Sequence, residues 1–143
     1  MFDAHSLLAA VADVLRQDPE LGRLAANWSA PDARGHVFLG APPLGAANAG
    51  RAPFAVVELV AVRRGPHRGA VPATVTVAVH LTARQGADAL AEAAAAALAA
   101  VPALGAEDQV LDFDLERGPV ARAGRCETAE LRLAVRLVDG PSA

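Results

Sequence analysis

Three carboxylates, Asp112, Asp114 and Glu116, alternate along one apolar stretch of this chain. Alternate residues of a strand share a face, about 7 Å apart. A row of this kind has three chemical readings: a metal site, a general acid–base pair, or an acidic surface. Nothing in the spacing makes the three groups converge. Arg132 and Arg136 alternate on a later stretch and offer a simpler solution. Opposite charges on neighbouring strands stabilise a sheet by roughly 0.2–1 kcal/mol per pair, which fits a solvated, cross-paired face.

A second cluster, Arg63, Arg64 and Arg68, falls around Gly65-Pro66. No aromatic residue accompanies it for base stacking, so it is a weak nucleic-acid motif. Arginine pairs well with carboxylates on a partner, so a protein-docking tip and a solubilising loop both fit. His5, His36, His67 and His80 are scattered over different segments and read as surface or boundary residues. Cys126 follows Arg125. A neighbouring cation favours thiolate, but a lone cysteine near a strand start more often packs as a small apolar residue. There is no lysine, so a phosphate-binding P-loop is excluded, and there is no His-Glu-x-x-His run. No Gly-x-Ser-x-Gly elbow occurs. One cysteine cannot build a Cys₂ or Cys₄ zinc site. These residues therefore predict no catalytic, cofactor-binding or metal-binding centre.

With 143 residues, a single domain spanning 1–143 with a genuine core is expected. The hydrophobic fraction of 53% is largely alanine, and aromatics make up only 3%. The core must then rest on Leu and Val, each worth roughly 1.5–3 kcal/mol when fully buried. Modest stability follows, with help expected from neighbouring subunits. A net charge of −3 argues against a dedicated nucleic-acid binder. The lone cysteine allows no disulfide framework. The early acid at Asp3 and the lack of a charged leader argue against a signal peptide, so synthesis in the cytoplasm is expected. The alanine-rich segment is too short and weakly apolar to span a membrane.

The elements that must position these groups are legible from periodicity. Leu7, Leu8, Val11, Val14 and Leu15 recur at helical spacing and predict a helix over 4–16, with Asp3 as N-cap. Asp18-Pro19 starts a short second helix to about Ala26, with Leu21 and Leu24 inward. Residues 29–53 are mostly irregular, with a short strand at Val37 to Leu39. Phe54 to Arg63 is apolar almost throughout and predicts a central strand covered on both faces. It forms a long hairpin with a strand at Ala73 to Thr82. Alanine's helix propensity secures a helix over Ala87 to Ala100. Val110 to Glu116 predicts a strand with Leu111, Phe113 and Leu115 inward, broken by Gly118-Pro119. Thr128 to Val138 alternates cleanly, with Leu131, Leu133, Val135 and Leu137 against Glu130, Arg132 and Arg136. The fold class is α+β: a mainly antiparallel sheet with helices packed on one face.

This arrangement resembles the tail-terminator, or tail-completion, proteins of long-tailed phages and gene transfer agents. Four features carry the likeness: an amphipathic N-terminal helix leading into Asp18-Pro19-Glu20-Leu21-Gly22-Arg23-Leu24; an irregular stretch ending in Ala52-Pro53-Phe54-Ala55-Val56-Val57; an alternating strand running into a helix over Val75 to Ala100; and a closing alternating strand from Glu127 to Val138. The family often has Pro-Tyr-Val-Val where this chain has Pro53-Phe54, which leaves the packing role intact. The likeness spans nearly the whole chain, although its motifs are patterns without an invariant signature.

The resemblance implies a structural virion protein with no catalysis and no cofactor. It implies a homo-oligomeric ring, usually a hexamer, that caps the tail tube, stops its growth and meets a neck or head-completion protein. DNA would pass through its channel without specific binding, no membrane would be involved, and the chain would be made in the bacterial cytoplasm. On this reading the loop 40–53 and the tip 63–69, with Arg63, Arg64 and Arg68, contact partners. Asp112, Asp114 and Glu116 face the channel. Two alternatives stand beside it: another head–tail joining subunit, and a small ligand-binding regulatory domain, which would need a pocket with convergent polar groups.

Overall fold

A computed structural model describes residues 3–24, 37–40, 53–64 and 72–138. In chain order the elements are α1 (Ala4–Gln17), α2 (Pro19–Leu24), β1 (Val37–Leu39), β2 (Phe54–Arg64), β3 (Pro72–Ala83), α3 (Ala87–Ala100), β4 (Val110–Ala123) and β5 (Cys126–Leu137). Among the described residues the strands form one five-stranded sheet in the order β1-β2-β3-β5-β4. Only the β1–β2 pairing is parallel; the other three are antiparallel. The α+β class read from periodicity is the class observed.

Both helix starts are capped as the sequence predicts. The Asp3 carboxylate accepts from the His5 N–H at 3.1 Å and from the Ser6 hydroxyl at 2.7 Å. The Asp18 carboxylate accepts from the Leu21 N–H at 2.9 Å. These side-chain oxygens satisfy N–H groups that the helix itself leaves unpaired. In α1, Leu7, Val11, Ala12 and Leu15 are fully buried. Leu21 of α2 is buried too, but Leu24 is not turned inward as its spacing suggests; it is exposed. Residues 25 and 26, the predicted end of this helix, lie outside the described residues.

The core lies between the helices and one face of the sheet. Val75, Val77, Val79 and Leu81 of β3 and Leu131, Leu133 and Val135 of β5 are fully buried there. α3 meets them with Leu90, Ala91, Ala94 and Leu98. Its alanines keep the helix axis close to the sheet, because they add little side-chain bulk.

The start of α3 is tied to the sheet. Gly86 has a φ of 78°, a left-handed conformation that glycine adopts without steric cost. One Glu127 carboxylate oxygen accepts from the N–H groups of Gly86 at 3.1 Å and Ala87 at 3.4 Å. A carboxylate is favourable at a helix N-terminus. Beyond α3 the chain turns sharply at Pro102–Gly105, where Ala103 and Leu104 also have left-handed φ values of 51° and 54°. Such non-glycine residues are strained; burial of the Leu104 side chain offsets that cost.

Three expectations are corrected. First, β2 is covered on both faces only over Phe54–Val57; from Leu59 to Arg64 it is exposed. The cause is its neighbour: β1 pairs only with Ala55, Val56 and Val57, so among the described residues the rest of β2 is an edge. Second, Gly118-Pro119 does not end β4, which continues to Ala123. The pair sits at an irregularity between Arg117 and Val120. Proline is tolerated there because β4 is an edge strand and no ladder N–H is lost. Gly118 presses on the Glu130 backbone: a Cβ at this position would sit 3.3 Å from the Glu130 carbonyl oxygen. Third, Leu111 does not point inward with Phe113 and Leu115. It is 66% exposed, because a second irregularity between Val110 and Asp112 breaks the alternation.

Two opposite changes test this packing. Leu133→Ala leaves a cavity and should destabilise the protein by about 2–5 kcal/mol in urea denaturation. Ala94→Leu overfills the gap between α3 and the sheet and should cost about 1–3 kcal/mol. An Ala94→Leu protein as stable as the parent would mean that α3 does not lie close to the sheet.

Candidate functional site

The strand registers assemble the polar residues on the sheet face opposite the helices. One row across the sheet runs Arg63, Thr74, Arg136, Asp112. A second runs Glu58, Ala78, Arg132, Glu116, and between them lie Ala61, Thr76, Ala134 and Asp114. A further row begins Val56, His80, Glu130. These rows follow from alternation: β3 and β5 send their Val and Leu residues to the helices and their polar residues to this face, while β2 places Val56 on it.

Asp112 and Asp114 are not a bare acidic pair. Arg136 donates to both: Nε to the Asp112 carboxylate, and a terminal nitrogen to Asp114 at 2.8 Å. The Asp114 carboxyl is held below the usual carboxylate range, first by this hydrogen bond and second by the positive charge. The same bonds, to Asp114 first and then Asp112, raise the Arg136 guanidinium. Glu116 stands opposite Arg132 in register, but Arg132 donates instead to Glu130 at 3.2 Å. Glu116 thus has no ion-pair partner among the described residues. The β4 end of the face keeps an acidic excess.

His80 is where reasoning from spacing fell short. It is half-buried on this face, with Nε2 2.7 Å from a Glu58 oxygen and Nδ1 3.7 Å from Glu130. Two carboxylates on two different neighbouring strands bracket one imidazole. No sequence spacing reveals this, since it requires β3 to lie between β2 and β5. His5 is exposed in the first turn of α1; His36 and His67 lie outside the described residues. Cys126 is a half-buried free thiol at the start of β5. Among the described residues no three His, Cys, Asp or Glu groups gather to hold a metal ion, and no helix is long and apolar enough to cross a membrane.

Arg63 and Arg64 end β2, exposed, and have no ion-pair partner among the described residues. Arg68 and the rest of the tip lie outside the described residues, as does nearly all of the loop 40–53. At the start of β2, Phe54 packs edge-on against Phe38 of β1, with ring centroids 5.8 Å apart. That is the packing role expected of the aromatic after Pro53.

An open groove of about 510 Å³ lies between the C-terminal ends of α1 and α3, lined in part by Val14, Ala97, Val101 and Leu104. Its acids already have work in the fold. Asp13 pairs with Arg16 at 3.4 Å, and Asp18 caps α2.

An α+β layer with one helix-covered face and one open, charge-paired face is the class of structure defined here. No protein-family model matches the chain, and no curated protein does. Among solved structures, the chain is similar to a chain in the virion of a native gene transfer agent particle. The TM-score is 0.60 at 18% identity, over 96% of this chain and 98% of that one. This likeness establishes a shared fold along the whole length.

The Arg136 bridge makes a pH prediction. A carboxyl with a depressed folded-state value adds stability above its unfolded value, near 3.9, and loses it as pH falls through the lower folded value. Carbon-detected NMR titration should therefore find Asp114 titrating below the ordinary Asp range in the parent protein. Arg136→Gln should return it to that range. An unchanged Asp114 midpoint in the variant would rule out the bridge as the cause.

Proposed function

We propose that this protein is a structural component of a phage-like particle: a tail terminator that caps the tail tube as a homo-oligomeric ring, ends its growth and joins it to the neck. One observation carries the reading. The fold matches a chain from a gene transfer agent virion from end to end, and that particle type is one to which the sequence pattern also points. The partners on this reading are further copies of the chain, the tube subunit and a neck or head-completion protein. The place of work is the virion, at the tail end of the neck.

The open sheet face supports a role for the acidic row. In the proposed ring this face, with Asp112, Asp114 and Glu116, lines the channel. Two carboxylates share Arg136 and the third has no ion-pair partner among the described residues, so the β4 side is net negative, and a wall of like sign discourages DNA from sticking. Arg63 and Arg64 stand at the far side of the sheet, available to a neighbour's carboxylates.

The deciding experiment is the solution mass of the purified protein, with negative-stain imaging alone and after mixing with tail tubes. Six-fold rings, or particles seated at one end of the tubes, are expected. A monomer that ignores tubes and shows a thermal shift with a metabolite would overturn the reading in favour of a ligand-binding domain. Within particles that assemble, Asp112→Arg with Asp114→Arg should slow DNA transfer. Unchanged transfer would remove the row from the channel wall.

A further inference from the structure

The sheet has two unprotected edges that differ in chemistry. β1 shields β2 only at Ala55, Val56 and Val57, so Glu58–Arg64 has no strand on its outer side among the described residues. β4 closes the other end of the sheet, and its Val110–Arg117 stretch is likewise unpaired outwards. Natural sheets blunt their edges with prolines, bulges or covering segments. Here Pro119 and the neighbouring irregularity interrupt the later part of β4; the two open stretches carry irregularities of their own, at Val110/Asp112 and at Leu59/Ala61 and Arg63/Arg64, but neither contains proline. The two open stretches are of nearly equal length.

Their side chains are complementary. The β2 stretch exposes Leu59, Val60 and Val62 and ends in Arg63 and Arg64, which have no ion-pair partner among the described residues. The β4 stretch exposes Leu111 at 66% and carries Asp112, Asp114 and Glu116. Their directions are also complementary. β2, β3, β5 and β4 are each antiparallel to the next, so β4 runs opposite to β2. A second copy placed beside the first in the same orientation brings its β4 antiparallel to the first copy's β2.

We infer that the free edge of β2, Glu58–Arg64, is the docking site for the free edge of β4, Val110–Arg117, of a second copy of this chain. The contact is heterologous: two different surfaces meet, and each copy keeps one of each. Repetition of such a contact gives a closed ring when the rotation allows it. Continued at the same level, the row Arg63-Thr74-Arg136-Asp112 puts Arg63 beside Asp112 of the neighbouring copy. Glu58 comes level with Glu116 of that copy, and His80 already engages Glu58. Backbone ladder bonds, apolar contact and the Arg63–Asp112 pair then act together and outweigh the like-charge meeting of Glu58 and Glu116. The inference rests on the ring reading above and names the surface that would build the ring.

Thiol cross-linking tests it. In a Cys126→Ser background, Val62→Cys marks the β2 edge and Leu111→Cys marks the β4 edge, both at exposed sites. A short bis-maleimide is applied to each variant alone, to their mixture and to the double variant, with and without tail tubes. Cross-linked dimers are expected in the mixture and not in either variant alone, and the double variant should form a ladder. Adding Arg63→Glu and Arg64→Glu should lower the yield several-fold at low salt and less at high salt. Cross-linking of either variant with itself would overturn the inference in favour of a two-fold contact. No cross-links, even with tubes present, would also overturn it. Six-fold rings without these cross-links would leave the ring reading standing and remove this edge contact. A ladder of open chains that never caps tubes would keep the contact and remove the terminator.

Discussion

The insertion of β5 between β3 and β4 is the constraint on which the rest depends. Leu131, Leu133 and Val135 are fully buried beneath α3, so the core is built around this one strand. Its other face carries Glu130, Arg132 and Arg136, which fixes where every neighbouring charge must go. A one-residue slip would send the leucines to solvent and the arginines into the core. The register against both neighbours is therefore strongly specified.

The charged face follows from that register at little direct cost or benefit. Exposed ion pairs contribute little to stability, and the bonds from Arg136 to Asp112 and Asp114 lie at the surface. Their effect is electrostatic. They turn a row of three like charges into a bridged pair plus the unpartnered Glu116. The bracketing of His80 by Glu58 and Glu130 has the same origin, with β2, β3 and β5 each supplying one group. A face organised in this way presents shape and charge.

The edges have a different logic. β1 is only three residues long, so most of β2 has no outer neighbour, and β4 has none at all among the described residues. A domain that keeps apolar residues such as Leu59 and Val60 on an open edge gains stability when that edge is paired. The alanine-heavy core points the same way, since alanine buries little area. On the proposed ring reading, assembly and stability are linked by mass action.

Much of this was legible in the residues. Alternation located β3 and β5, helical spacing and the aspartate caps located α1 and α2, and alanine content located α3, because these signals are local. They depend on a residue's own φ and ψ preferences and on which side of one element meets water. The pairing of Arg132 and Arg136 with the acidic row was anticipated in type, but Arg132 turned to Glu130 instead of Glu116. Local pattern misread Leu111, Leu24, the outer half of β2 and the continuity of β4 past Gly118-Pro119. In each case burial or pairing was set by a neighbour distant in the chain. By itself, the sequence determined the elements, the buried faces of α1, α3, β3 and β5, and the absence of familiar catalytic motifs. Strand order, and with it the His80 bracket, the Arg136 bridge, the Glu127 cap on α3 and the two open edges, was decided only by tertiary structure. Those features join residues more than twenty positions apart, and such a meeting depends on how the layers pack, which no local preference encodes.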